Sequence, residues 1–441
     1  MSEVNVGKDG MPKKEIKILG LSLTVYFALF IVLLVAIFLK VLPGGMIGAF
    51  IFMMLVGALM DVIGNNTPIV KTFFGGGPIV IIFGSAALVY FKILPESITE
   101  NVTAFMKGGG FLDFYIAALI TGSILGMSKK LLIKAAIRYF PCILGGVVVS
   151  LLFVALGGML FGQSPGEAIA YIGIPIMGGG MGAGAVPIAE VFASGLGIPA
   201  ETILSKLVPA VALGNAMAIV FGGLLDKLGK VRPELSGNGK LMEVGNDDLI
   251  EEKTDETFTL ADFGKGIAIA CSFFVFGKIF GHIMKTYIGL DIHAYAWMII
   301  SVGVAKAFNI LPHKYEKACA KWYQFVATNW TSALLVGIGI AYTDLGQVIS
   351  AFSLVYLVQV FLVVLGAVVG TAAVGKLVGF YPIEAAITAG LCMANMGGTG
   401  DVAVLTAAHR MELMPFAQIS SRLGGAFIIL LATFLVPIVF G

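Results

Sequence analysis

The sequence predicts an all-α polytopic membrane protein of about eleven transmembrane helices plus two opposed re-entrant hairpins, arranged as inverted-topology repeats. Three observations predict it. Of the 441 residues, 58% are hydrophobic and 12% charged, with a mean hydropathy of +0.99, where soluble domains are roughly half apolar and a quarter charged. Apolar stretches close to the roughly 20 residues that a helix needs to cross a bilayer recur along the chain. Two further apolar stretches, 165–197 and 382–408, are interrupted by glycine.

Taken in order, residues 1–20 form a polar tail of mixed sign. The apolar stretch behind it is too long, and too poor in following small residues, for a cleaved signal peptide. The first membrane half, 21–224, carries spans at 21–40, 45–63, 77–93, 111–128, 136–161 and 202–224, with the first hairpin at 165–197. Residues 225–260 are polar, charge-mixed and glycine-containing, as a central loop between halves requires. The second half, 261–441, carries spans at 263–284, 292–310, 323–343, 349–374 and 417–440, with the second hairpin at 382–408.

Basic residues near span ends set orientation. With Lys13, Lys14 and Lys17 inside, the count puts Lys71, the cluster Lys129, Lys130, Lys134 and Arg138, the central loop, and His313, Lys314, Lys317 and Lys321 on the same side. Lys92, Lys107 and Lys285 are mild exceptions. The N-terminus is then cytoplasmic and the C-terminus extracytoplasmic. The count closes only if each glycine-broken stretch enters and leaves on one side, the first from outside between Glu167 and Glu201, the second from inside between Lys376 and His409–Arg410.

Several function classes fall away. A net charge of +2 gives no basic face for nucleic acid. The four cysteines, Cys142, Cys271, Cys319 and Cys392, show no CxxC spacing, and His282 and His293 have no ligand partners in sequence, so neither a zinc site nor a disulfide framework is expected. Asn101-Val-Thr103 fits the glycosylation pattern, a weak signal.

The hairpins repeat. "GAGAVPIAEVFASGLGIPAETILSKL" from Gly182 and "GTGDVAVLTAAHRMELMPFAQISSRL" from Gly398 align without a gap at Gly, Gly, Val, Pro, Ile, Ser and Leu, and Lys206 falls opposite Arg422. The preceding arms, "PGEAIAYIG" from Pro165 and "PIEAAITAG" from Pro382, match after a one-residue shift. Inverted repeats with broken membrane elements mark secondary transporters, whose substrate site lies where those elements meet near the midplane.

A short arm ending in mid-membrane presents carbonyl oxygens, and the arm leaving the tip presents N–H groups. The first set suits a hard monovalent cation and the second, with hydroxyls, a carboxylate. The second tip, "CMANMGGTGD", adds Asn395, Thr399 and Asp401, with Asp401 read as a cap or loop-fixing carboxylate. Arg422 stands inside the last span with no acidic residue within a helical turn. It either recognises a substrate carboxylate through its planar fork or snorkels to the interface. Lys206 has the same two readings, and Tyr342-Thr343-Asp344 reads as a helix end with Asp as the next cap.

"PIMGGGMGAGAVP", "AGLCMANMGGTGD", "MPFAQISSRLGG" and "YTDL" together resemble the 2-hydroxycarboxylate transporter family, over nearly the whole chain. The resemblance implies a homodimer of inverted-repeat protomers in the bacterial plasma membrane, working by elevator-like movement, and transport rather than enzymatic activity. It implies sodium ions, or a proton, as the coupling ion and no other cofactor. Sodium would meet Ile176, Gly178, Met181, Cys392, Met393, Asn395, Thr399 and Ser421. The hydroxycarboxylate would meet Met181, Gly182, Met396, Gly398, Thr399 and Arg422, with Lys206 as a further candidate. The family's citrate symporters carry Asn where this chain has Met181 and a second Arg where it has Met396, so malate is the expected substrate with citrate as the other candidate. Two rival readings are a malate/lactate type of exchanger and, remotely, a membrane-embedded decarboxylase subunit.

Overall fold

The computed structural model describes residues 17–68, 70, 76–126, 138–242, 258–288, 294–351 and 353–440. Lys13, Lys14, Lys71, Lys129, Lys130, Lys134 and His293 lie outside the described residues. The described chain is almost entirely helical, apart from a two-residue β-hairpin, Lys17–Ile18 with Leu21–Ser22.

Five helices come first: α1 (Leu23–Phe38), α2 (Met46–Asn66), α3 (Gly77–Tyr90), α4 (Glu96–Met106) and α5 (Phe111–Leu125). After α6 (Phe140–Leu160), the first hairpin rises through Pro165–Ala168, a π turn Ile169–Gly173 and Ile174–Ile176. It returns through a π turn Met181–Ala185 and α7 (Val186–Leu196), and α8 (Ala200–Val231) follows. The second half runs α9 (Leu260–Ile283), α10 (Ala294–Ala307), α11 (His313–Asn329), α12 (Thr331–Ala341), α13 (Leu345–Ala351) and α14 (Leu354–Leu377). The second hairpin rises through Pro382–Ala385 and a π turn Ala386–Leu391 and returns as α15 (Gly398–Ala407). Met414–Ile419, a π turn Ser420–Gly424 and α16 (Gly425–Phe440) close the chain.

Local chemistry accounts for the boundaries. Both rising arms open with proline at the first helical position, where its missing N–H costs nothing. Gly197, at φ +66°, ends α7 in the left-handed conformation. A capping box of Thr259 and Asp262 starts α9. Outward faces are apolar: Val32 is 65% exposed and Phe38 84%, which suits hydrocarbon as the surrounding medium.

Among the described residues, six helices are long and apolar enough to cross a membrane, or eight if two bent pairs each count as one. This differs from the expected eleven in identifiable places. The stretch 323–343 is not one helix: α11 and α12 meet at 61° around Trp330, which is wedged edge-on against Phe50, Trp322 and Phe325. Likewise α4 and α5 meet at 42°. The expected spans at 21–40, 77–93 and 292–310 form helices of 16, 14 and 14 residues.

Packing divides the molecule in two, and not at the central loop. Helices α1–α5 and α9–α12 pack among themselves as one body, the flanking body. Helices α6–α8, α14–α16 and both hairpins form the other, the hairpin body, around an extensive α6–α14 contact. The chain therefore passes between bodies at three places: after α5, after α8 and around α13, which touches both α3 and α8. Elsewhere the bodies meet mainly along the first tip, the turn Ser420–Gly424 and α16.

Candidate functional site

The two hairpins meet tip to tip. Gly180, at φ +127°, and Gly397, at φ +72°, take backbone conformations that side chains resist. They also leave no room for one: a methyl on Gly180 would lie 2.7 Å from the Met396 carbonyl oxygen, and one on Gly397 would lie 2.9 Å from that of Gly179. The backbones of the tips are thus in direct contact. Three of the molecule's π turns, Met181–Ala185, Ala386–Leu391 and Ser420–Gly424, gather around this junction, as π turns often do at functional sites.

Behind the second tip lies an oxygen-rich corner. Ser421 Oγ is 2.9 Å from both carboxylate oxygens of Asp401, 3.0 Å from the Cys392 carbonyl and 3.2 Å from that of Ala417. One hydroxyl proton cannot serve four acceptors. Asn395 donates Nδ2 to Asp401 at 3.0 Å and accepts the Gly397 N–H on Oδ1 at 2.7 Å. Hard cations bind such sets of carboxylate, carbonyl and hydroxyl oxygens.

Before the tips, a cavity of about 460 Å³ opens between the two bodies. The hairpin body contributes Met181, Gly182, Met396, Asp401, Ser421 and Arg422 to its wall. Opposite stand Tyr115, Ser123, Tyr323 and Thr331 of the flanking body, with Asp61 at the margin. Tyr115 Oη donates to Thr331 Oγ1 at 2.6 Å, whose own proton goes to the Ala327 carbonyl. The Arg422 guanidinium carbon lies 5.3 Å from the centre of the Tyr323 ring, so the cation is held over an aromatic face across the gap.

Of the residues expected at the site, Met181, Gly182, Met396, Ser421 and Arg422 line this one cavity. Ile176, Gly178, Cys392, Met393 and Asn395 are buried directly behind the tips. Gly398 and Thr399 open α15; the Thr399 side chain lies outside the described set. Lys206 is elsewhere, exposed on α8 with its ammonium 4.7 Å from the centre of the Tyr171 ring. Tyr115, Tyr323 and Thr331 gave no signal in sequence, because an aromatic or hydroxyl residue in a span is commonplace. Asp344 precedes α13, and its N–H is held by Ser205 Oγ at 2.6 Å. Asn101 Oδ1 accepts the Gly45 N–H at 2.6 Å. Among the described residues no three His, Cys, Asp or Glu side chains cluster as metal ligands.

The base of the second hairpin is tied down by buried charge. Glu384, fully buried, accepts from Ser236 Oγ at 2.9 Å, Gly237 N at 2.8 Å and Arg410 Nε at 3.2 Å. Arg410 also donates to Asp226 at 3.4 Å, to Ser236 and Asn238 at 3.3 Å, and to the His409 carbonyl at 3.0 Å. The stretch expected to be a loop from 225 therefore begins as helix, to Val231, and residues 233–242 fold onto the hairpin, ending in the bridge of Met242 with Phe380. Near the end of that helix Asp226 is buried between Lys230, at 2.7 Å, and Arg410, at 3.4 Å.

A family model described as the 2-hydroxycarboxylate transporter family matches residues 18–434. The chain is 38% identical over 421 residues to a Na(+)-malate symporter of Bacillus subtilis, covering 94% of this chain and 91% of that protein. It is 36% identical over 418 residues to a citrate/sodium symporter of Salmonella typhimurium, covering 95% and 94%. To the citrate transporter CitP of Leuconostoc mesenteroides it is 37% identical over 422 residues, covering 96% and 94%.

Proposed function

The chain belongs to the 2-hydroxycarboxylate transporter family, and from that premise we propose that it imports malate across the bacterial plasma membrane by symport with sodium. It is a secondary transporter of 2-hydroxycarboxylates and not an enzyme, as its family and the names of its relatives indicate. The observation that carries the reading is the placement of Arg422 in the cavity wall beside the oxygen-rich corner of Asp401, Ser421 and Cys392. A guanidinium takes a carboxylate through paired hydrogen bonds. The corner takes the cation, and each ligand raises the other's affinity by the same factor.

Malate is favoured over citrate by what lines the cavity beside Arg422. Met181 and Met396, whose side chains donate no hydrogen bond, line the cavity where further donors would be needed for a third carboxylate. Sodium is favoured as coupling ion by the oxygen set and by two relatives named as sodium symporters. Movement of the hairpin body against the flanking body would carry the site across the membrane, in a homodimer with the N-terminus cytoplasmic and the C-terminus outside. Eleven spans and two re-entrant hairpins remain part of this reading.

Uptake of labelled malate and citrate into proteoliposomes, with sodium and pH gradients imposed separately, tests it. Malate accumulation driven by sodium alone is the expected result. Accumulation that needs internal lactate and ignores both gradients would instead establish exchange. Uptake driven only by the pH gradient would move the coupling to protons.

A further inference from the structure

Helix α8 touches both tips with adjacent residues. A methyl on Gly214 would lie 3.0 Å from the side chain of Ile176, at the end of the first rising arm. Asn215, fully buried, accepts the Met396 N–H on Oδ1 at 3.1 Å. The next N–H, that of Gly397, goes to Asn395 Oδ1. Two amide side chains thus pin successive N–H groups of the second tip, one from within the tip and one from α8. They also close on Gly400, where a methyl would lie 2.7 Å from Asn215 Oδ1 and 2.9 Å from Asn395 Oδ1. The carbonyl of the same Met396 faces Gly180 of the first tip.

Helix packing alone does not call for an amide at this position. The alignment that pairs Lys206 with Arg422 places Leu431 opposite Asn215. Asn215 Nδ2 moreover has no hydrogen-bond partner among the described residues, and a buried donor without a partner destabilises the helix that carries it. We propose that Asn215 is a positioning residue of the transport site, holding the second tip against α8 in the geometry that receives the cation. The proposal rests on the reading of the tips as the binding site. Asn215 does not touch the cargo; it fixes the backbone of residues 395–397 from which the Asn395–Asp401 pair is hung.

The test uses the full-length protein in proteoliposomes with sodium chloride and malate. Asn215→Leu keeps the branching and the number of side-chain heavy atoms and removes the acceptor, while Asn215→Asp keeps an acceptor oxygen for the Met396 N–H. Asn215→Leu should raise the half-saturating sodium concentration about tenfold, the scale of one lost buried hydrogen bond, with the maximal rate within about twofold of the parent. Asn215→Asp should stay within about threefold in half-saturation. An Asn215→Leu protein with parental half-saturation, or an Asp variant as impaired as the Leu variant, overturns the proposal. Should Asn215→Leu elute as aggregate, Asn215→Ala is measured in its place with the same expectation. If the parent ignores sodium, the proposed coupling fails on its own account. The same ranking must then appear in the malate KM, and equal KM values in all variants refute the role of Asn215.

Discussion

The two hairpins share a plan and differ in equipment. Each rises from a proline through a π turn, breaks at glycine, and returns as helix. At aligned positions, however, the first carries Ala185 where the second carries Asp401, and Lys206 where the second half carries Arg422. Glu167 is exposed; its counterpart Glu384 is fully buried and ion-paired with Arg410. Ser205 holds the N–H of Asp344, while Ser421 faces Asp401. The difference teaches that a duplicated backbone supplies two tips that fit each other, whereas Asp401, Arg422 and the buried Glu384–Arg410 pair all stand with the second of them.

Substitutions can break or sharpen that contrast. The largest effect is expected at Arg422: Arg422→Ala should abolish malate uptake while the protein remains folded, as read by uptake beside size-exclusion profiles. Unimpaired malate affinity would remove the arginine from the site. Next comes the base of the second hairpin, where Arg410→Ala leaves Glu384 buried without its cation and removes one of the basic neighbours of Asp226, which keeps Lys230 at 2.7 Å. Thermal or denaturant unfolding should show a loss of about 3 kcal/mol, against no more than about 0.5 kcal/mol for Glu167→Ala. Equal losses at the two bases would mean that the buried clasp is not what distinguishes them. Asp401→Asn removes the charge of the oxygen-rich corner and should raise half-saturating sodium by about tenfold or more, measured with malate held at saturation. The smallest effect belongs to Lys206→Ala, expected within about twofold of the parent in malate KM, because its ammonium sits over Tyr171 and away from the cavity. A Lys206 variant as damaged as the Arg422 variant would restore symmetry to the site.

Much of this was legible in the sequence. Glycine-broken apolar stretches locate both tips, since lipid tolerates such backbone only where protein covers it, and an arginine in an apolar span, with no acidic residue within a helical turn in sequence, announces itself by its cost. What could not be read is equally specific. The angle between α11 and α12 depends on Trp330 meeting Phe50, which is remote from it in sequence. Burial of Glu384 depends on residues 233–242, whose polar composition signals a linker and says nothing of the carboxylate their N–H groups will receive. The division into two bodies escapes a linear reading because each half contributes helices to both. Lys206 falls opposite Arg422 in the alignment and reads more ambiguously in sequence; packing places it over Tyr171 rather than in the cavity wall.

The three covalent crossings between the bodies limit how far one can travel. Leu125 and Phe140 are 15 residues apart, Met242 and Leu260 are 18 apart, and Ala341 and Leu354 are 13 apart. Ala341 and Leu354 are joined by a shorter leash, part of it already wound into α13. In the movement proposed above, a stroke would have to carry α13 with one body and shear it from the other, because this seven-residue helix touches both α3 and α8.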